Sequence, residues 1–316
     1  MSQQLTNILL ETGTNELELV EFMIYPKSNA EKPRYYGINV AKVREIIKTP
    51  TIVTIPKTND NIEGIINLRG KIVPTINLAK WLKLDTDKPL SRVIITEFNQ
   101  VVNGFLVNSV TRIHRISWND VMQPEELTKG DDESCITSVV KIDDKLILIL
   151  DFEKIIGDIF PDTYFKLDTI EVKETHIGKK VLIVEDSTLI RNMVHDTLKQ
   201  GGYEVLSAPN GSAAFDMLMG FHKKVTNGEG KITDYVDVIV TDLEMPLMDG
   251  SHLIKRLREL PEFHNIPVIV FSSMASDEIV RKIKEIGADT FISKPELPKL
   301  VHLVADFIDK RESAKS

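Results

Sequence analysis

Four short apolar runs in the second half of the chain each end at a polar group, and no other feature constrains the fold as much. KKVLIVED ends in Glu185 and Asp186, VDVIVTD in Asp242, PVIVFSS in Ser272 and Ser273, and DTFISKP in Lys294 and Pro295. Runs of this length, rich in Val and Ile, read as strands buried on both faces of a parallel sheet. Amphipathic stretches of helical period lie between them, such as STLIRNMVHDTLKQGG and SDEIVRKIKEIG. The alternation predicts a doubly wound α/β domain, a fold whose ligands gather outside the carboxyl ends of the strands. Three carboxylates, a hydroxyl and a lysine are therefore expected on one edge.

Clustered carboxylates repel one another unless a cation sits among them, and an all-oxygen set suits Mg²⁺. A carboxylate can attack phosphorus to give an aspartyl-phosphate. That transfer needs positive charge and hydrogen bonds on the equatorial oxygens, which Mg²⁺, Lys294 and the Ser272 hydroxyl can supply. Any one of these residues alone reads as a solvated loop carboxylate or a surface lysine. Their recurrence at successive strand ends carries the argument.

Residues 179–312 resemble the response-regulator receiver domain in motif order. The resemblance implies a flavodoxin-like strand order of 2-1-3-4-5. It also implies that Glu185 and Asp186 are the acidic pair, Asp242 the phosphoacceptor, Ser272 the switch hydroxyl and Lys294 the invariant lysine. Glu185 stands where Asp is the commoner choice. In the run DLEMPLMDG, Asp242 to Gly250, the main-chain carbonyl of Glu244 would be a metal ligand. Phe291 falls at the aromatic switch position, and Lys294-Pro295 matches a Lys-Pro that often carries a cis peptide. Glu244 and Met274 flank the route of the attacking water, where the family tunes phosphate lifetime. One stretch exceeds a minimal receiver: VTNGEGKITDY has two glycines and few apolar residues and reads as an extended surface loop.

At 316 residues with 42% hydrophobic content, the chain has material for two cores. A net charge of −8 argues against general nucleic-acid binding, which wants a basic face. The lone Cys135 permits no internal disulfide and fits a reducing compartment. No apolar run is long enough to span a bilayer, and the start MSQQLTN has neither a basic nor an apolar leader region. These features predict a cytoplasmic protein without direct membrane insertion. The expected organisation is a first domain over 1–163, a linker over 164–178 and a receiver over 179–316. The linker, mixed and charged, shows no sustained period.

The first half has a different rhythm. LELVEFMIY, YYGINV, KIVPTINL, SRVIITEF, VNGFLVNSVTRIHRI and SVVKIDDKLILIL are short β-rich runs, which suggest a β-barrel or sandwich. Asn103-Gly104 reads as a turn, and Asp143-Asp144 as the tip of a hairpin. AKVREIIK (41–48) and NLAKWLKL (77–84) read as short helices. His114 is read as a solitary polar residue on a strand. No nucleophile–base pair, Gly-rich phosphate loop or metal-ligand spacing is visible in this half, so it reads as a binding module.

GINVAKVREI and IEGIINLRGKIVPTINLAKWL resemble the CheW-like domain, with Asn67-Leu68-Arg69-Gly70 as the strongest local match. The resemblance implies two small all-β barrels that couple chemoreceptors to the histidine kinase CheA. It places Arg69 and Glu45 at or beside coupling surfaces, where the plainer reading of each is a surface salt bridge. Gly70 reads as a turn position needing positive φ.

A CheW-like domain followed by a receiver is the arrangement of the CheV chemotaxis coupling proteins, which the chain resembles over nearly its whole length. The resemblance implies a non-enzymatic adaptor at membrane-associated chemoreceptor arrays, accepting phosphate on Asp242 from phospho-CheA. Phosphate would regulate coupling or simply be drained from the kinase. A haloacid-dehalogenase-like phosphatase uses a similar Asp, Ser/Thr, Lys and Mg²⁺ set. It needs a second Asp two residues after the nucleophile, where this chain has Glu244. A transcriptional regulator would need a basic helix-turn-helix, and both halves are accounted for without one.

Overall fold

A computed structural model describes residues 16–313 apart from 30, 57–58, 85, 99–100, 123–134, 161–175, 274–276 and 295–296. The chain divides into two compact units, Met1–Pro161 and Asp162–Ser316. Among the described residues no helix is long and apolar enough to cross a membrane.

The first unit holds β1 (Glu16–Ile24), β2 (Arg34–Asn39), β3 (Val43–Lys48), β4 (Ile62–Leu68), β5 (Lys71–Asn77), a short helix α1 (Leu78–Trp81), β6 (Arg92–Phe98), β7 (Val101–Val107), β8 (Ser109–Ser117), β9 (Val121–Met122), β10 (Ile136–Ile142), β11 (Lys145–Leu150) and α2 (Phe152–Ile159). Its strands form one sheet ordered β8-β1-β2-β11-β10-β9 and another ordered β3-β6-β7-β5-β4. Most pairings are antiparallel; β11 with β2 and β5 with β7 are parallel. The ring of Phe152 on α2 packs edge-on to Phe105 of β7, at 4.7 Å between centroids, and edge-on to Phe22 of β1, at 6.2 Å. One helix thus supplies core to both sheets.

Three readings of this half are corrected. Residues 43–48 form strand β3, not a helix: Val43, Ile46 and Ile47 lie opposite Thr96, Ile94 and Val93 of β6. Apolar residues at i, i+3 and i+4 suit either period over so short a run, and tertiary pairing with β-branched neighbours decides. Asn103-Gly104 is not a turn but lies inside β7, opposite Thr96 and Ile95. A Cβ on Gly104 would sit 2.8 Å from Val93 Cγ1, so close packing rather than positive φ demands glycine there. The Asp143-Asp144 hairpin does form, joining Ile142 to Lys145 with Asp143 at φ +53°.

The third correction concerns His114, which is buried and has a partner. Its Nε2 lies 2.5 Å from Oε2 of Glu21, a fully enclosed carboxylate on β1. Lys145 Nζ approaches Glu21 at 3.5 Å and Arg112 Nε at 3.9 Å. Burial pushes the Glu21 carboxyl up, but the hydrogen bonds from His114 and Thr111 and the Lys145 charge outweigh it and hold the group below its ordinary value. A carboxyl depressed in the folded state contributes stability above its unfolded pKa and loses it as pH falls through the folded one. Glu21→Gln is therefore expected to flatten the acid limb of the first unit's melting temperature against pH. An unchanged acid limb would show that other carboxyls control it. Burial pushes the Cys135 thiol up to about 11, away from the thiolate form.

The second unit holds β12 (Lys180–Val184), α3 (Thr188–Gln200), β13 (Glu204–Ala208), α4 (Gly211–Thr226), β14 (Val238–Thr241), α5 (Gly250–Arg258), β15 (Val268–Ser272), α6 (Asp277–Glu285), β16 (Thr290–Ser293) and α7 (Leu297–Ser313). Its sheet is parallel throughout, in the order β13-β12-β14-β15-β16, which is the expected 2-1-3-4-5. The strand period of two divides the core. Leu182 and Val184 pack with Leu218, Leu253 and Leu257 on one face, while Val181 and Ile183 pack with Ile190, Leu198 and Val304 on the other. Helices start where side chains can cap them: Ser187, Asn210 and Asp249 each accept a main-chain N–H of the first turn.

Residues 225–235 are more ordered than an extended loop. Helix α4 runs on to Thr226, a 3₁₀ turn spans Ile232–Asp234, Ile232 is buried, and Tyr235 stacks on Phe221 at 5.2 Å. The stretch read as a linker is described only from 176 onward. There His176 is buried in the second unit, with Nε2 2.7 Å from Asp309 and its ring stacked on Tyr203.

Candidate functional site: an acidic strand-end cluster bridged by a lysine

In a parallel sheet all strand ends of one kind share an edge, so the four runs deliver their terminal residues together. Glu185 and Asp186 follow β12, Asp242 follows β14, Ser272 ends β15 and Lys294 follows β16. One oxygen from each of Glu185, Asp186 and Asp242 lies within 4.8 Å of the others. Lys294 Nζ donates to Asp242 Oδ2 at 2.9 Å and to Glu185 Oε1 at 3.0 Å. Glu185, Asp242, Ser272 and Lys294 are all at most 5% exposed, which strengthens every charge interaction among them.

The remaining contacts orient this set. The other Asp242 oxygen, Oδ1, accepts from Leu243 N at 2.6 Å, so the carboxylate is held from both sides. Glu185 Oε1 also accepts from Ser187 N. Three carboxylates against one ammonium leave excess negative charge, and an all-oxygen donor set of this kind fits a hard divalent cation. Glu244 lies in the loop between Asp242 and α5. Phe291 lies deeper on β16, opposite Val270, half-buried against the core that includes Ile283 of α6. Met274, Pro295 and the Lys294–Pro295 peptide fall outside the described residues.

Two contributors had no separate signal in the sequence. Arg191 on α3 donates to the carbonyls of Glu185 and Asp186, at 2.6 and 3.2 Å, and so fixes the backbone that carries the acidic pair. Gly250 opens α5, and a Cβ there would lie 2.0 Å from the carbonyl oxygen of Asp242 itself. Its position at the end of DLEMPLMDG was readable, but the close approach to the Asp242 backbone is purely tertiary.

Arg69 and Glu45 meet each other in the first unit, with Nη2 2.7 Å from Oε2. Arg69 is 80% exposed at the side chain and Glu45 22%, so the pair sits at the surface. Glu45 lies on β3 and Arg69 at the tip of β4–β5, which are opposite ends of their sheet, so the sheet is curled enough to bring its two ends into contact. Arg69 and Gly70 both take positive φ, +51° and +86°, in the two-residue hairpin between Leu68 and Lys71. Asn67 Oδ1 accepts from Gly70 N and locks the turn.

Residues 29–160 match the CheW-like domain family and residues 181–305 the response regulator receiver domain family. The protein is thus a CheW-like domain joined to a receiver. It is 37% identical to chemotaxis protein CheV3 of Helicobacter pylori, over 94% of this chain and 96% of that protein. Identity to CheV1 of the same organism is 26%, over 93% of this chain and 94% of the other. The first half is 33% identical to chemotaxis protein CheW of Thermotoga maritima, over 48% of this chain and 94% of that one. The chain belongs to the CheV family of chemotaxis proteins.

Proposed function

We propose that this chain couples chemoreceptors to the histidine kinase CheA through residues 1–163, and that Asp242 in the 179–316 receiver accepts phosphate from the kinase's phospho-histidine. The observation that carries the second half is the Lys294 bridge to Asp242 and Glu185 inside the carboxylate cluster. An Asp242 oxygen attacks phosphorus as the N–P bond breaks, and the bonding electrons return to the histidine ring. Lys294, already at Asp242 Oδ2, and the buried Ser272 hydroxyl receive the charge on the equatorial oxygens. Glu185, Asp186, Asp242 and the main-chain carbonyl of Glu244 would hold Mg²⁺, which neutralises charge as the phosphoryl group arrives. This is the chemistry of an adaptor that is modified, not of an enzyme: the position two residues after the nucleophile is Glu244, not the Asp of a haloacid-dehalogenase-like phosphatase.

The coupling half is supported by its own sheets and core and by the Arg69 hairpin. Residues 1–163 are expected to capture kinase or receptor as well as the unphosphorylated full chain does. Arg69→Ala is expected to weaken that capture without unfolding the piece, because the Arg69–Glu45 pair is exposed and such pairs contribute about 0–1 kcal/mol. Normal capture by the variant would make Arg69 a sheet-closing residue only. The whole reading is tested in reconstituted receptor–kinase complexes, by following kinase output with the protein phosphorylated or not. A change in output on phosphorylation supports regulated coupling; loss of kinase phosphate without such a change leaves a phosphate sink.

A further inference from the structure

We infer that Arg258 pins the carboxyl end of α6, so that this helix answers the phosphorylation site by swinging about its far end rather than by shifting as a whole. The swing rests on the reading of Asp242 as phosphoacceptor; the pin does not.

Helix α6 ends in a tight cap. Ala288 N donates to Ile283 O at 2.9 Å and Gly287 N to Lys284 O at 3.1 Å, with Gly287 at φ +104°. This pair of bonds around a left-handed glycine is the Schellman motif, which satisfies the last carbonyls of a helix. The carbonyl of Gly287 then accepts from Arg258 Nε at 2.9 Å. The same guanidinium donates through Nη1 to the carbonyls of Phe263 and Ile266, at 2.6 and 3.0 Å, and through Nη2 to Asp289 Oδ2 at 3.0 Å. Asp289 Oδ2 also accepts from Val268 N, the first residue of β15, at 2.8 Å. One side chain therefore ties the exit of α6 to the end of α5, the turn after it and the starts of β15 and β16.

The fit is exclusive. A Cβ on Gly287 would lie 2.7 Å from Arg258 Cγ. Arg258 is 18% exposed at the side chain, and burial holds its guanidinium below the usual arginine value, with Asp289 pulling the other way. A planar fork with five N–H groups can bond several carbonyls at once; a lysine ammonium on a single stem cannot hold that geometry.

The other end of α6 is the one that connects to β15 along the chain. It follows the end of β15, where the buried Ser272 stands at the edge that carries Asp242 and Lys294. A phosphoryl group on Asp242 adds a dianion that draws nearby donors strongly. The pull therefore enters α6 at its amino end, while the Arg258 cluster holds the carboxyl end. With its carboxyl end held, the helix responds by rotating about that end.

The test is hydrogen exchange on the full chain, for wild type, Arg258→Met and Arg258→Lys. In the unliganded protein, amides of 283–289 are expected to be well protected in wild type and to exchange about tenfold faster or more in both variants, since charge-assisted bonds are lost. With Mg²⁺ and beryllofluoride as the phosphate mimic, the wild-type change is expected in residues 272–282 and not in 283–289. In the variants it should spread through 289. Asp289→Ala, which removes one arm only, gives a smaller rise and serves if Arg258→Met does not fold. Wild-type exchange at 283–289 in Arg258→Met and Asp289→Ala alike overturns the pin. An equal beryllofluoride response along all of 272–289 overturns the swing. If beryllofluoride changes nothing in wild type, the phosphoacceptor reading and the swing fall together, while the unliganded comparison still decides the pin.

Discussion

Asp242→Asn is expected to abolish phosphorylation of the full chain by phospho-CheA, with label falling to background. The substitution keeps the shape of the side chain and its acceptance from Leu243 N, and removes the nucleophilic oxygen that faces Lys294. Glu185 and Asp186 lie in the same cluster, but in the proposed reaction they hold the metal rather than attack, with Arg191 fixing the backbone of both. Chelation of divalent cations should have the same effect in wild type, since the approach of a phosphoryl dianion to three carboxylates is otherwise strongly opposed. Label that persists in Asp242→Asn would move the phosphoacceptor elsewhere. Label that persists in chelator would remove the metal from the reading.

Lys294→Met should produce the largest loss of stability of any single change at the site. The lysine is 5% exposed and bridges two carboxylates that are each at most 3% exposed. Removing it takes away the ammonium that bridges two of the three carboxylates, so attraction is lost and repulsion grows together. Breaking a buried ion pair from one side costs about 3–5 kcal/mol. For a unit of this size that corresponds to a fall of roughly 10 °C or more in melting temperature. Excess Mg²⁺ should recover much of the loss, because a divalent cation replaces the missing positive charge and binds the folded state only. Thermal unfolding of wild type and variant, each with Mg²⁺ and with chelator, checks this. A variant as stable as wild type in chelator would overturn the view that Lys294 offsets the charge of the cluster. A deficit that Mg²⁺ leaves untouched would mean that the lysine acts through packing.

Much of the second unit was legible without coordinates, because a parallel sheet buried on both faces writes itself as continuous apolar runs. Each run in this chain stops at a polar residue, so the strand ends and the edge that carries Glu185, Asp186, Asp242, Ser272 and Lys294 are read off together. The first unit was less legible. Its strands are short and their neighbours distant in sequence, so Val43–Lys48 looked helical until Val93 and Ile94 were seen beside it. Asn103-Gly104 has turn composition yet serves a strand, since the space under Val93 admits no side chain. His114 looked solitary because Glu21, its partner, is 93 residues away along the chain.

What the sequence determined by itself is the fold class of each half, the two-domain order and the identity of the acidic site, all of which rest on local period and short motifs. What only the tertiary structure decided is how charges are matched: Lys294 shared between Asp242 and Glu185, Glu21 enclosed by His114 and Lys145, Arg69 closed onto Glu45, and Arg258 clasped around the end of α6. The reason is physical. Burial of apolar surface is non-directional and leaves its mark as periodicity. A hydrogen bond or ion pair requires two specific atoms within about 3 Å, and chain spacing alone does not say which distant residue will supply the second one.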